Sequence, residues 1–134
     1  MEFIFAFATD DGKTLRGEGH FGNASSYSIY KISSDGYEFI EKRDNFEVEE
    51  DEDDKHGDPN KAKAVSSLLK GVDVFVGKRF GPNIKRMIKK FVCIVIREKS
   101  VRIEEAVKLI KDNMDRVEEE YKKGEVRKPL VFSS

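Results

Sequence analysis

The chain has 134 residues, enough for one domain with a core of its own, and a formal net charge of -1. That balance gives no global field toward DNA or anionic membranes, so neither nucleic acid nor a membrane is expected as a partner. One cysteine, Cys93, excludes an intrachain disulfide and a cysteine-only metal site within one chain.

Charged residues make up 38%, and Gln and Trp are absent, a composition that leans toward a thermophile. Met1 opens no charged-then-apolar leader, and no apolar run is long enough to span a bilayer, so a cytoplasmic location is expected.

Residues Glu2 to Thr9 are almost continuously apolar and aromatic, the pattern of a strand buried on both faces. Asp10-Asp11-Gly12 turns the chain. Gly19-His20-Phe21-Gly22-Asn23-Ala24 then forms a loop in which one of two histidines stands between glycines and an aromatic ring. Ser26 to Ile32 and Tyr37 to Glu41 read as a hairpin about Ser33-Ser34-Asp35-Gly36.

The run Glu47 to Asp54 is acidic but for Val48, and is expected to be a solvated loop; it lacks the spacing of an EF-hand. Asp58-Pro59 supplies an N-cap and a first-turn proline for a helix with Ala62, Val65, Leu68 and Leu69 on one stripe, ended by Gly71. Val72 to Gly77 is a second buried strand. Gly81-Pro82-Asn83 opens a second helix carrying Ile84, Met87, Ile88 and Phe91. Val92 to Ile96 is a third buried strand, with Cys93 expected in its core. A single long helix is expected to follow, with Ile103, Ala106, Val107, Ile110, Met114, Val117 and Tyr121 on one face. The tail, residues 126–134, carries Leu130-Val131-Phe132, which can dock on the sheet or on another subunit.

This order predicts an α/β domain over residues 1–125. Two right-handed crossovers make the three apolar strands parallel at the sheet centre, and the hairpin extends one side. Ligands of such sheets gather at the carboxyl ends of the parallel strands. Three segments meet there: Thr9-Asp10-Asp11-Gly12, Gly77 to Asn83, and Arg97-Glu98-Lys99-Ser100. The His20 loop can fold over the same edge.

The segment after the second strand has the clearest chemistry. Gly77 and Gly81 allow a tight turn, and the amides of Asn83 and Ile84 are expected to point out of a helix start. Lys78 and Arg79 add two positive charges. An anionic ligand fits this loop, unless it is an ordinary strand-to-helix turn with solvated lysine and arginine. His20 either ligates a metal, donates to an anion, or caps local backbone. His56 stands before the first helix and either approaches the same face as a second metal ligand or is simply exposed.

Thr9-Asp10-Asp11-Gly12, His20-Phe21-Gly22-Asn23-Ala24, Gly71 to Gly77 and Gly81-Pro82-Asn83, in this order, resemble the dinitrogenase iron–molybdenum cofactor family. His56-Gly57 and the Glu104-Glu105-Ala106 helix are similar too. The resemblance runs from about Phe3 to Glu125. It implies a ribonuclease H-like fold, here a mixed five-stranded sheet with three helices. It also implies binding, storage or delivery of an iron–molybdenum cofactor or an iron–sulfur precursor, with nitrogen-fixation accessory proteins among its members. Two departures stand out: Lys78-Arg79-Phe80 replaces a turn of small residues, and the acidic run is unusual.

Three functions follow. The first is a non-catalytic carrier of an anionic metallocluster. Its cofactor-binding residues are Thr9, Asp10, His20, Phe21, Gly22, Asn23, Gly77, Lys78, Arg79, Gly81 and Asn83, with His20 and His56 as metal ligands. It would act as monomer or homodimer with a cluster-donor or acceptor protein. The second is a regulatory module for a small anion or a protein partner. The third is a metal-dependent nuclease, which needs converging carboxylates. Asp10, Asp11 and Asp73 are the available ones, and Asp73 is expected far from the others.

Overall fold

The computed structural model describes residues 1–17, 19–45 and 59–133. Six strands form one mixed sheet: β1 (Phe3–Thr9), β2 (Ser26–Ile32), β3 (Tyr37–Asp44), β4 (Val74–Gly77), β5 (Val92–Ile96) and β6 (Leu130–Phe132), in the order β3-β2-β1-β4-β5-β6. As the apolar runs predict, β1, β4 and β5 are parallel neighbours, with Phe5 beside Val74 and Val74 beside Val92. The hairpin β2–β3 extends the β1 side, both pairings antiparallel.

The expected five-stranded sheet is corrected to six. The tail segment Leu130-Val131-Phe132 pairs in parallel with Ile94-Val95-Ile96 as the edge strand. Leu130 and Phe132 point inward and are buried, whereas Val131 is exposed, so a three-residue alternation suffices to seat it.

The helices are α1 (Pro59–Leu68), α2 (Ile84–Met87), α3 (Ile103–Lys111) and α4 (Met114–Lys122). The expected three helices become four because the long one breaks at Asp112-Asn113. Asn113 Nδ2 donates to the Leu109 carbonyl at 2.8 Å, competing with the backbone ladder at the break. The apolar stripe continues across it: Ile110, Met114 and Val117 are all buried.

Alternation along β1 divides the core. Phe3, Phe5 and Phe7 join α3, α4 and β6 on one face of the sheet. Ala6 and Ala8 join Val65, Leu69, Phe75 and Met87 beneath α1 and α2 on the other. The acidic run Glu47 to Asp54, His56 and the expected Asp58 cap lie outside the described residues. No helix among the described residues is long and apolar enough to cross a membrane.

Candidate functional site

The carboxyl ends of β1 and β4 and the His20 loop meet at one edge. Beyond β1, the chain is held by two aspartates with different tasks. Asp11 closes the turn on itself: its Oδ1 accepts from the amides of Lys13 and Thr14, each at 2.8 Å, and its Oδ2 accepts from Thr14 Oγ1 at 2.6 Å. These donors hold the exposed Asp11 carboxyl far below the ordinary carboxylate range, the Thr14 hydroxyl contributing most. Thr9 is fully buried, and its Oγ1 accepts from the Gly12 amide at 2.9 Å.

Asp10 instead reaches across the loops. Its Oδ1 accepts from Arg16 Nη1 at 2.8 Å, from the Ser25 amide at 2.9 Å and from Ser25 Oγ at 3.0 Å. Burial alone would raise its pKa, but the Ser25 donors and the Arg16 charge outweigh it and hold the carboxyl low. Asp10 therefore braces the end of the His20 loop.

That loop is a 3-10 turn, Phe21–Asn23, fixed at three places. The Phe21 amide donates to the Arg79 carbonyl at 2.7 Å, joining it to the β4 loop. Asn45 Nδ2 donates to the carbonyls of Gly22 and Ala24, both at 2.9 Å. Tyr27 OH donates to the Phe21 carbonyl at 2.8 Å.

Phe21 is where the sequence reading needs correction. Its ring is 1% exposed and stacks on Phe75 at 4.7 Å and on Phe80 at 4.9 Å between centroids. It anchors the loop in the core and presents no side chain to a ligand. Gly77 belongs to the same packing: a Cβ there would stand 3.3 Å from Phe21 Cδ1.

His20 is 5% exposed and covers Gly81. A Cβ on Gly81 would fall 2.5 Å from both Nδ1 and Cε1 of the imidazole, and the Gly81 backbone has φ +69. Glycine is required twice over, for the close approach and for the left-handed backbone.

The expected helix start after Gly81 is also corrected. α2 has only four residues, too few for an appreciable dipole. The Ile84 amide donates to the Gly81 carbonyl at 3.2 Å, so it closes a turn. Asn83 is buried, and its Oδ1 accepts from Arg86 Nη1 at 2.8 Å. Positive charge at this edge comes from side chains. Arg79 is exposed, and Lys78 Nζ donates to the Lys99 carbonyl at 2.7 Å, bridging the loops after β4 and β5.

Thr9, Asp10, His20, Phe21, Gly22, Gly77, Lys78, Arg79 and Gly81 are thus brought into one set of linked loops. Asn23 lies in the same 3-10 turn, Asn83 turns inward, and His56 is outside the described residues. The bracing by Asp10 was not anticipated; only its position after an apolar strand, opposite a polar Ser25-Ser26, hinted at it. The carboxylates needed by a nuclease are kept apart: Asp73 Oδ2 accepts from the Ile4 amide near the amino end of β1, whereas Asp10 lies past its carboxyl end. No group of three or more His, Cys, Asp or Glu among the described residues is placed to hold a metal ion. Cys93 is buried in β5, and burial pushes its thiol pKa strongly upward.

The chain is 33% identical over 86 residues to protein NifX of Sinorhizobium fredii (strain NBRC 101917 / NGR234), covering 62% of this chain and 52% of that protein. It thus spans about half the length of this curated relative. The family described as dinitrogenase iron-molybdenum cofactor matches residues 1–113, from the first residue through the α3–α4 break. The chain belongs to the dinitrogenase iron-molybdenum cofactor family.

Proposed function

We propose that the protein binds an anionic metallocluster, an iron–molybdenum cofactor or an iron–sulfur precursor, and carries it as cargo without transforming it. The observation that carries this reading is the junction of His20 with Gly81, flanked by Lys78 and Arg79 at the end of β4. An imidazole nitrogen is a competent ligand for a cluster metal. The two cations offset the cluster's negative charge, and backbone donors can reach its sulfurs where glycine lets the chain approach.

The cargo is held transiently. His20 is the ligand on this edge, and Cys93, buried in β5, supplies no accessible thiolate. His20 is itself covered, so uptake turns the ring off Gly81 and outward, with Gly19 beside it as the flexible point. A second subunit or a donor or acceptor protein completes the coordination. Residues 1–125 form the cluster-binding domain, and residues 126–134 are the tail whose β6 closes the sheet. The order β3-β2-β1-β4-β5, with β1, β4 and β5 parallel and the hairpin antiparallel, supports a ribonuclease H-like description of the fold, to which β6 adds a fourth parallel strand. A cytoplasmic, nitrogen-fixation accessory role is the setting this reading implies.

The test is anaerobic mixing of the full chain with isolated cofactor and, in a separate sample, with molybdate, followed by gel filtration and metal analysis of each protein peak. Co-elution of iron and sulfide supports cluster carriage. Molybdenum without iron supports the small-oxyanion alternative, and a peak without metal refutes both.

A further inference from the structure

A second feature lies away from the strand ends, on the face of the sheet covered by α1 and α2. α1 and α2 leave an open groove of about 670 Å³ between them. One wall is Lys63, Ser66 and Ser67 of α1, at the i, i+3, i+4 spacing that places side chains on one helical face, with Lys70 in the turn just past the helix end. The other wall carries Arg86 and Lys90. Pro59, Ala62 and Met87 give it an apolar lining, and no acidic residue among the described ones lines it. Lys63, Lys70 and Lys90 make no ion pair with any described residue.

The cations are strung out. Lys63 lies on α1 and Lys70 in the turn past its end, seven residues on, while Arg86 lies on α2 and Lys90 in the turn that follows it. A compact anion needs charges converging on one point. Charges spread along two walls of an open groove match carboxylates repeated along an extended acidic helix, and the apolar lining receives a residue between them. We propose that this groove docks an acidic amphipathic helix of a partner protein, at a surface separate from the His20 edge.

The test is fluorescence anisotropy of the full chain with a labelled helical peptide bearing glutamates at one-turn spacing beside a leucine ridge. The wild-type chain binds it, and the same peptide with Gln for Glu does not. Lys63→Glu with Lys70→Glu weakens binding about tenfold, as expected for reversed interfacial charge. Lys108→Glu, on exposed α3 surface across the sheet, leaves it unchanged. If the double variant fails to fold by circular dichroism, Lys90→Glu replaces it with the same expected direction.

Equal binding by wild type and groove variants overturns the proposal, as does equal binding of the Gln peptide. Tighter binding of an RNA or DNA duplex at the same lysines assigns the groove to nucleic acid instead. Peptide binding that appears only when the acids of residues 47–54 are neutralised assigns it to this chain's own acidic run.

Discussion

His20 and Gly81 are in such close contact that a single methyl group on Gly81 would stand 2.5 Å from the imidazole. This contact locks the loop after β1 to the loop after β4, beside the 2.7 Å bond from the Phe21 amide to the Arg79 carbonyl. Gly81→Ala meets two penalties, the clash and an unfavourable φ of +69. It is expected to destabilise the chain by roughly 1–3 kcal/mol. Urea unfolding measures this; a midpoint equal to wild type would show that the loop relaxes without cost.

Phe21 belongs to the fold, and its removal reads out as stability. The ring is stacked by Phe75 and Phe80 and lies 5.0 Å from Tyr27. Phe21→Ala is expected to cost about 3–5 kcal/mol, the range for truncating a buried aromatic. A change below about 1 kcal/mol in the same unfolding experiment would place the ring outside the core.

Acid weakens the site loops in a defined window. Asp10 and Asp11 both have folded-state pKa values below the ordinary 3.8. The stability they lend is therefore fully present above that value and is lost as pH falls through it toward the folded-state values. Asp11→Asn keeps an acceptor but removes the charge. Its stability is expected to fall less than that of wild type between about pH 6 and about pH 3. Parallel loss in the two proteins would remove Asp11 from the acid response.

Cys93 is inert while the chain is folded. It is 0% exposed in β5, and burial disfavours its thiolate. Iodoacetamide is expected to leave it unmodified in buffer and to alkylate it in denaturant, as read by mass spectrometry. Rapid modification of the native protein would mean that β5 opens readily, and would restore the thiol as a candidate ligand.

Strong periodicity made part of this architecture legible. The uninterrupted apolar runs of β1, β4 and β5 leave no polar face, so a parallel central position was the available reading, and Ser33 to Gly36 marked the hairpin. The helix break was hidden because Ile110, Met114 and Val117 keep one stripe through it; only Asn113's bond to Leu109 betrays it. Docking of Leu130-Val131-Phe132 on the sheet was one of two open readings; its pairing as a sixth strand was hidden because three residues carry too little pattern to separate a strand from a tail. Glycine and histidine spacing marked the loops that meet beyond the carboxyl ends of β1 and β4. It could not tell that Phe21 faces the core, that Asn83 turns toward Arg86, or that α2 is too short to attract an anion. Those facts depend on which side chains meet across strands far apart in sequence. The basic groove was hidden for the same reason, since its walls come from residues 59–70 and 86–90, each a short helix and the turn after it.

The central claim is that His20 holds the cargo. The direct measurement is an anaerobic titration of isolated iron–molybdenum cofactor into wild type and His20→Ala, followed by cluster absorbance and by metal retained on the protein. Loss of one metal ligand is expected to weaken retention by about tenfold or more, with the unfolding midpoint measured alongside to separate binding from stability. Equal retention by the two proteins, at equal folded fraction, would contradict the account.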